Sequence, residues 1–202
     1  MIYIFSTNPY LVTGGIAKSI QSLALGLDKI NVQYKIIPTH EDGGKLRKYF
    51  LFFISLLRLF FMKKGSLIYL NAGGKVSIKR KGVIARVAKF LGHKILLHIH
   101  GPTLIDNMEN PKYQIHFSKL CVSIDKVVVL TDWWKMKLSS IIPISKIEVL
   151  PNSITVEQEV VHKDKIGIKF NMKTMLFMGR LEKEKGGDLA ILTLSKLKDD
   201  KI

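Results

Sequence analysis

Short apolar runs alternate along this chain with stretches whose apolar residues fall three and four positions apart, and this change of period lays out the fold. Ile2 to Ser6 reads as a strand, Gly14-Gly15 as a turn and Ile16 to Leu27 as a helix. Gln33 to Ile37 is a second strand, ended by Pro38 and followed by the loop HEDGG. The pattern then predicts a helix over Tyr49 to Met62, a strand over Leu67 to Asn71, a helix over Gly82 to Leu91 and a strand over Lys94 to His98. A helix over Lys112 to Ser123, a strand over Lys126 to Leu130, a helix from Thr131 to about Ser139 and a strand over Lys146 to Leu150 complete the series before Pro151. Strand and helix in regular alternation predict right-handed crossovers and an α/β fold, a Rossmann-like parallel sheet with helices on both faces.

The pattern breaks after residue 155. Residues 156–174 are polar and mixed in charge, contain Gly167, and read as a linker behind a first domain of residues 1–155. Residues 175–202 supply one predicted strand, Met175 to Met178, and one helix, too little to bury a core of their own. They are expected to be the opening of an incomplete second Rossmann-like domain.

Composition narrows the class. Met1 to Tyr10 has no basic head or cleavage site, so it reads as a first strand rather than a signal peptide, and a cytoplasmic location is expected. Cys121 is the only cysteine, which excludes an internal disulfide and a cysteine-cluster metal site. The formal charge is +16, and no acidic residue stands between Asp42 and Asp106, a window that holds thirteen lysines and arginines. Such a field calls for an anionic partner: a phospholipid surface, a phosphorylated substrate or nucleic acid. Within the window, YFLFFISLLRLFFM is flanked by Arg47-Lys48 and Lys63-Lys64. As a helix it would extend roughly 21 Å, short of the about 30 Å of a bilayer core, and Arg58 interrupts it. It is either a helix packed on the core or an interfacial helix that lays phenylalanines into a membrane between cations that meet anionic headgroups.

Candidate chemistry gathers where ligands of open parallel sheets collect, at the carboxyl ends of the strands. Gly14-Gly15 follow the first strand, His100-Gly101-Pro102 the fourth, Thr131 the fifth and Pro151-Asn152 the sixth. His98 and His100 share a face if both stay extended. His100, just past the strand end, is the better candidate to meet a ligand, with a purely structural histidine as the alternative. No acid lies within four residues of either, which gives a metal site little support. The glycine spacing argues against a nicotinamide enzyme, although Glu41 or Asp42 stands where a ribose-binding acid would. In MLFMGRLEKEKGG, Gly179 allows a tight turn, Arg180 and Lys185 bring two cations, and Gly186-Gly187 let backbone amides approach a ligand as a helix begins. That is anion-binding chemistry.

Taken together, GGIAKSI at Gly14, HIHGP at His98, VVVLTDWW at Val127, IEVLPNSI at Ile147 and MLFMGRLEKEKGG at Met175 resemble the retaining glycosyltransferases of family four, with order and spacing matched along nearly the whole chain. The resemblance implies the GT-B architecture, two Rossmann-like domains facing across a cleft, the first holding the acceptor and the second the nucleotide-sugar. It implies that Gly14 and Gly15 lie beside the donor diphosphate or the acceptor, that His100 approaches the transferred sugar, that Asn152 stands at the donor site, and that Gly179, Arg180 and Lys185 hold the diphosphate. No metal or other cofactor is implied beyond the nucleotide-sugar substrate. The partners implied are a glycan or lipid-linked acceptor and an anionic membrane surface, with no nucleic acid. Ser153 and Thr155 replace a glycine and an acid of the family pattern, which weakens the role of Asn152. The family's paired glutamates would fall beyond Ile202, so the 202-residue chain by itself is expected to be inactive as a transferase.

Overall fold

The computed structural model describes residues 1–12, 14–41, 44–101, 104, 107–153, 176–179, 181 and 185–199. The chain divides into two compact units, Met1–Val156 and Glu157–Ile202.

The first unit is α/β. Its strands are β1 (Ile2–Thr7), β2 (Tyr34–His40), β3 (Leu67–Ala72), β4 (Lys94–Ile99), β5 (Lys126–Val129) and β6 (Ile147–Val149). Its helices are α1 (Gly15–Lys29), α2 (Lys45–Leu59), α3 (Lys75–Phe90), α4 (Pro111–Cys121) and α5 (Asp132–Ser139). The six strands form one parallel sheet in the order β2-β1-β3-β4-β5-β6, a Rossmann-like arrangement. The winding reverses between β1 and β3, the place where sheets of this kind open a crevice for ligands.

Register turns the period-two pattern into two cores. Phe5, Leu70, Leu97 and Val127 form one row across four strands and are fully buried beneath α2 to α5, with Leu59, Ile84, Phe117 and Leu138 packed against the same face. Ile4 and Tyr69 point the other way, onto Ile20 of α1. The sheet is therefore covered on both faces, as the alternation predicted.

Three boundaries differ from the pattern for physical reasons. Pro38 lies inside β2 rather than ending it: β2 is an edge strand, where a missing N–H costs no ladder bond, and the register shifts beside it between Ser6 and Thr7. Helix α3 begins at Lys75, because the polar run before Gly82 stays helical with Ile78 and Lys81 buried. Gly82 sits inside it where a Cβ would meet Leu120 Cδ1 at 2.9 Å, so α3 and α4 pack closely there and a larger residue would make the Leu120 side chain shift. Helix α2 starts four residues earlier than predicted and tightens at its end, with Phe61 N–H donating to Arg58 O at 3.2 Å.

In the second unit, α6 (Gly187–Asp199) forms. Residues 176–178 are not a strand, since a strand needs a ladder partner and the described residues of this unit offer none; Leu176 and Met178 stand exposed.

Candidate functional site

The carboxyl end of the sheet carries a hydrogen-bonded node built from three separated segments. His100 follows β4, and its N–H donates to Ala72 O at 2.9 Å, which holds the residue against the end of β3. Its Nδ1 lies 3.1 Å from Asn152 Oδ1 and its Nε2 2.8 Å from Asn71 Oδ1. Ser19 of α1 donates its hydroxyl to the same Asn152 Oδ1 at 3.0 Å. Three of the sequence motifs, GGIAKSI through Ser19, HIHGP through His100 and IEVLPNSI through Asn152, thus meet at one atom. Gly101 makes the rim possible: a Cβ on it would stand 1.4 Å from Gly73 O, backbone that cannot step aside.

Burial lowers the His100 imidazole to about 4, against the opposing pull of its contact with Asn152. At neutral pH the ring is uncharged and offers one N–H and one lone pair. As placed, amide oxygens face both ring nitrogens, so one of the two amides must present its NH2 instead. The orientation of Asn71, the tautomer of His100 and the orientation of Asn152 are one coupled choice.

His98 belongs to the interior. It is buried, its Nδ1 meets the Tyr69 hydroxyl at 2.5 Å, and its ring lies edge-on to Tyr69. Burial, followed by the neighbouring His100, pushes it down to about 3, against a backbone contact at Leu150. The rings of His98 and His100 are 4.0 Å apart, so the two do share a face. Of the pair, only His100 reaches the rim.

The other expected residues fall in different places. Gly14 caps α1 without a side-chain bond, with φ of +147°, a conformation that strains any residue with a Cβ. Gly15 begins α1 and has open space beside it. Glu41 is not free to bind a ribose: it accepts from Asn8 Nδ2 at 3.0 Å and pairs with Arg47 at 2.6 Å, tying the β1–α1 loop to α2. Asp42 lies outside the described residues. Thr131 serves as the cap of α5, accepting from Trp134 N–H at 3.2 Å. Cys121 is a core residue whose thiol burial raises to about 12, which makes it inert as a nucleophile. Lys81 is not part of a surface field at all, because α3 turns it inward and buries it.

In the second unit, Gly179 and Gly187 lie against Phe177. A Cβ on Gly179 would lie 3.3 Å from the Phe177 ring and 3.8 Å from Lys185 Cβ, and one on Gly187 would lie 3.4 Å from the same ring. Lys185 therefore stands beside the Gly179 turn at the start of α6. Asp188 occupies the first turn of that helix, where its charge offsets part of the attraction for an anion. Arg180 lies outside the described residues.

Sequence reasoning missed Asn71 and Ser19, which complete the node. Asn71 had a signal: a lone amide at the carboxyl end of the apolar strand LIYLNA. Ser19 had none, since a serine inside a helical run reads as surface. Among the described residues, no cluster of histidines, cysteines and acids has the arrangement of a metal site. Neither a scan of protein-family models nor a search of curated proteins found a match to this chain. The likeness to glycosyltransferases rests on the motifs themselves.

Proposed function

We propose that this chain is the acceptor-side part of a retaining sugar transferase that works against an anionic membrane surface. The observation that carries the reading is the node at Asn152, where segments from both ends of the first unit converge on an uncharged histidine at the ligand edge of the sheet. A neutral imidazole can exchange its contact with Asn152 for one to a sugar hydroxyl without competing for the charge of a phosphate. In the proposed reaction the bond from the donor's anomeric carbon to its phosphate oxygen breaks, and a bond from that carbon to an acceptor hydroxyl forms on the same face. The departing diphosphate takes up the acceptor's proton. Arg180 and Lys185 would stabilise the charge that builds on its oxygen, each removal costing roughly 2 to 4 kcal/mol of transition-state stabilisation.

Helix α2 supports the membrane part. Phe52, Leu56 and Leu59 pack on the sheet, while Leu46, Tyr49, Phe50, Phe53 and Leu57 form an exposed stripe on the opposite side, continued by Phe60 and Phe61. One face of the helix is core, as the packed reading of this segment expects, and the other is an exposed aromatic stripe between Lys48, Arg58, Lys63 and Lys64, which supports the interfacial reading. No helix among the described residues is long and apolar enough to cross a membrane. An in-plane helix suits this distribution of apolar area and charge.

Calorimetric titration of the chain with nucleoside-diphosphate sugars and soluble lipid-linked acceptor analogues tests the reading. Saturable binding weakened by His100→Ala and by Asn152→Ala is expected; no binding to any saccharide rejects it. The alternative, a basic module that binds nucleic acid or membranes without catalysis, predicts for nucleic acid a DNA affinity that falls steeply with salt. The exposed phenylalanines of α2 favour the membrane over nucleic acid within that alternative.

A further inference from the structure

At the junction of β1 and β3, where the winding of the sheet reverses, lies a cavity of about 30 Å3. Ser6 and Thr7 line it from β1, Asn71 from β3, Ser77 and Lys81 from α3, and Ile16 from the first turn of α1. Among the described residues, every polar side chain in its wall can donate a hydrogen bond, and no carboxylate lines it. Lys81 is 3% exposed and donates to Thr39 Oγ1 at 2.5 Å; Thr39 in turn donates to Ser6 O at 3.0 Å. Ser6 Oγ, Thr7 Oγ1 and Asn71 Nδ2 are buried without a protein partner.

A buried ammonium is costly without a compensating charge, and orphaned polar atoms add to that cost. Among the described residues, the charge that bears on Lys81 is the guanidinium of Arg80, which has the wrong sign and adds to burial in lowering its pKa. The first turns of α1 and α3 reach the cavity through Ile16 and Ser77, and neither turn has an acidic residue or a side-chain cap. Both helix dipoles therefore favour negative charge there. A buried cation, three unpartnered polar groups and two uncapped helix starts all ask for an anion.

We propose that this cavity binds an oxyanion of the phosphate class, with Lys81 as its counter-charge and Asn71, Ser6 and Thr7 as its donors. About 30 Å3 holds roughly two water-sized groups, so phosphate oxygens enter while the rest of the ligand stays at the mouth. The site does not depend on sugar transfer. It has a consequence for the rim. An anion keeps Asn71 Nδ2 turned inward, so Asn71 Oδ1 accepts from His100 Nε2–H. The lone pair of His100 Nδ1 then accepts from the amide of Asn152, whose second N–H reaches Ser19.

Calorimetry of the full chain with inorganic phosphate at constant ionic strength in sodium chloride tests this. Saturable binding is expected, weakened about tenfold or more by Lys81→Met, which removes the charge-assisted bonds. Thr7→Val keeps the side-chain shape and is expected to weaken phosphate several-fold, so the proposal stays testable if the lysine variant fails to fold. Imidazole 15N spectra are expected to move His100 toward the Nε2–H form as phosphate saturates. Displacement of phosphate by a sugar phosphate marks a soluble ligand as the natural source, and displacement by phosphatidic acid vesicles marks a lipid headgroup. Absence of saturable phosphate binding, equal affinity in both variants, or displacement by neither competitor overturns the site.

Discussion

Lowering the pH from 7.5 to 5.0 is expected to destabilise the first unit well before its carboxylates titrate. His98 and His100 are held neutral when folded, at about 3 and about 4, whereas in the unfolded chain each returns to 6.5. The unfolded state therefore binds more protons throughout this window, and stability falls as the pH drops below 6.5, levelling off only beneath the folded values. At pH 5.0 the unfolded ring gains about 1.5 units of protonation free energy that the folded ring does not, or about 2 kcal/mol for His98. His100 contributes no more than that, because it lies at the rim, where solvent softens the effect of burial. Urea denaturation at the two pH values measures the difference. His98→Gln, which cannot titrate, is expected to remove about half of the pH dependence while lowering stability at pH 7.5 through loss of the Tyr69 contact. Equal stability of the parent chain at both pH values, or an unchanged slope in the variant, would refute the assignment of buried neutral imidazoles.

Other substitutions separate packing from function. Gly101→Ala drives a methyl group into Gly73 O and is expected to cost about 3 kcal/mol or more in thermal or urea unfolding, whereas Gly15→Ala, with open space around it, stays within about 1 kcal/mol of the parent. Gly14→Ala falls between them, because a Cβ is strained at φ of +147° even where nothing crowds it. Phe50→Ser with Phe53→Ser is expected to abolish flotation with anionic liposomes and to change stability by no more than about 0.5 kcal/mol per site, since both rings are exposed. Equal flotation of the double variant and the parent would remove the membrane role of α2. Lys146→Met, which deletes bonds to Cys121 O and Ile124 O behind α4, is expected to lower stability by about 1 kcal/mol in the same unfolding assay.

The sheet was legible because its strands and helices differ in period, and burial on both faces leaves β3, β4 and β5 almost wholly apolar. Pro38 misled because a proline says whether a ladder bond is possible, not whether the strand sits at an edge where none is needed. The SIKRK run of α3 was illegible for the opposite reason: a helix that hides two of its side chains shows no periodicity, and one of the two is a lysine. The rim was half legible. His100 and Asn152 stood at strand ends, where position alone implies exposure to a ligand, while Asn71 and Ser19 join them only through contacts spanning 29 and 133 residues. Charge was the least reliable guide, since Lys81 counts toward a basic surface in the sequence and is interior in the fold.

The central claim is that the node at Asn152 meets a sugar. Imidazole 15N and 13C spectra of the histidine-labelled chain, titrated with nucleotide-sugars and acceptor saccharides, report on it directly. The account predicts that the His100 resonances shift saturably while those of the interior His98 follow only weakly, and that Asn152→Ala removes the response. Spectra in which no saccharide moves His100, or in which His98 and His100 move equally and the Asn152 variant behaves as the parent, would contradict it.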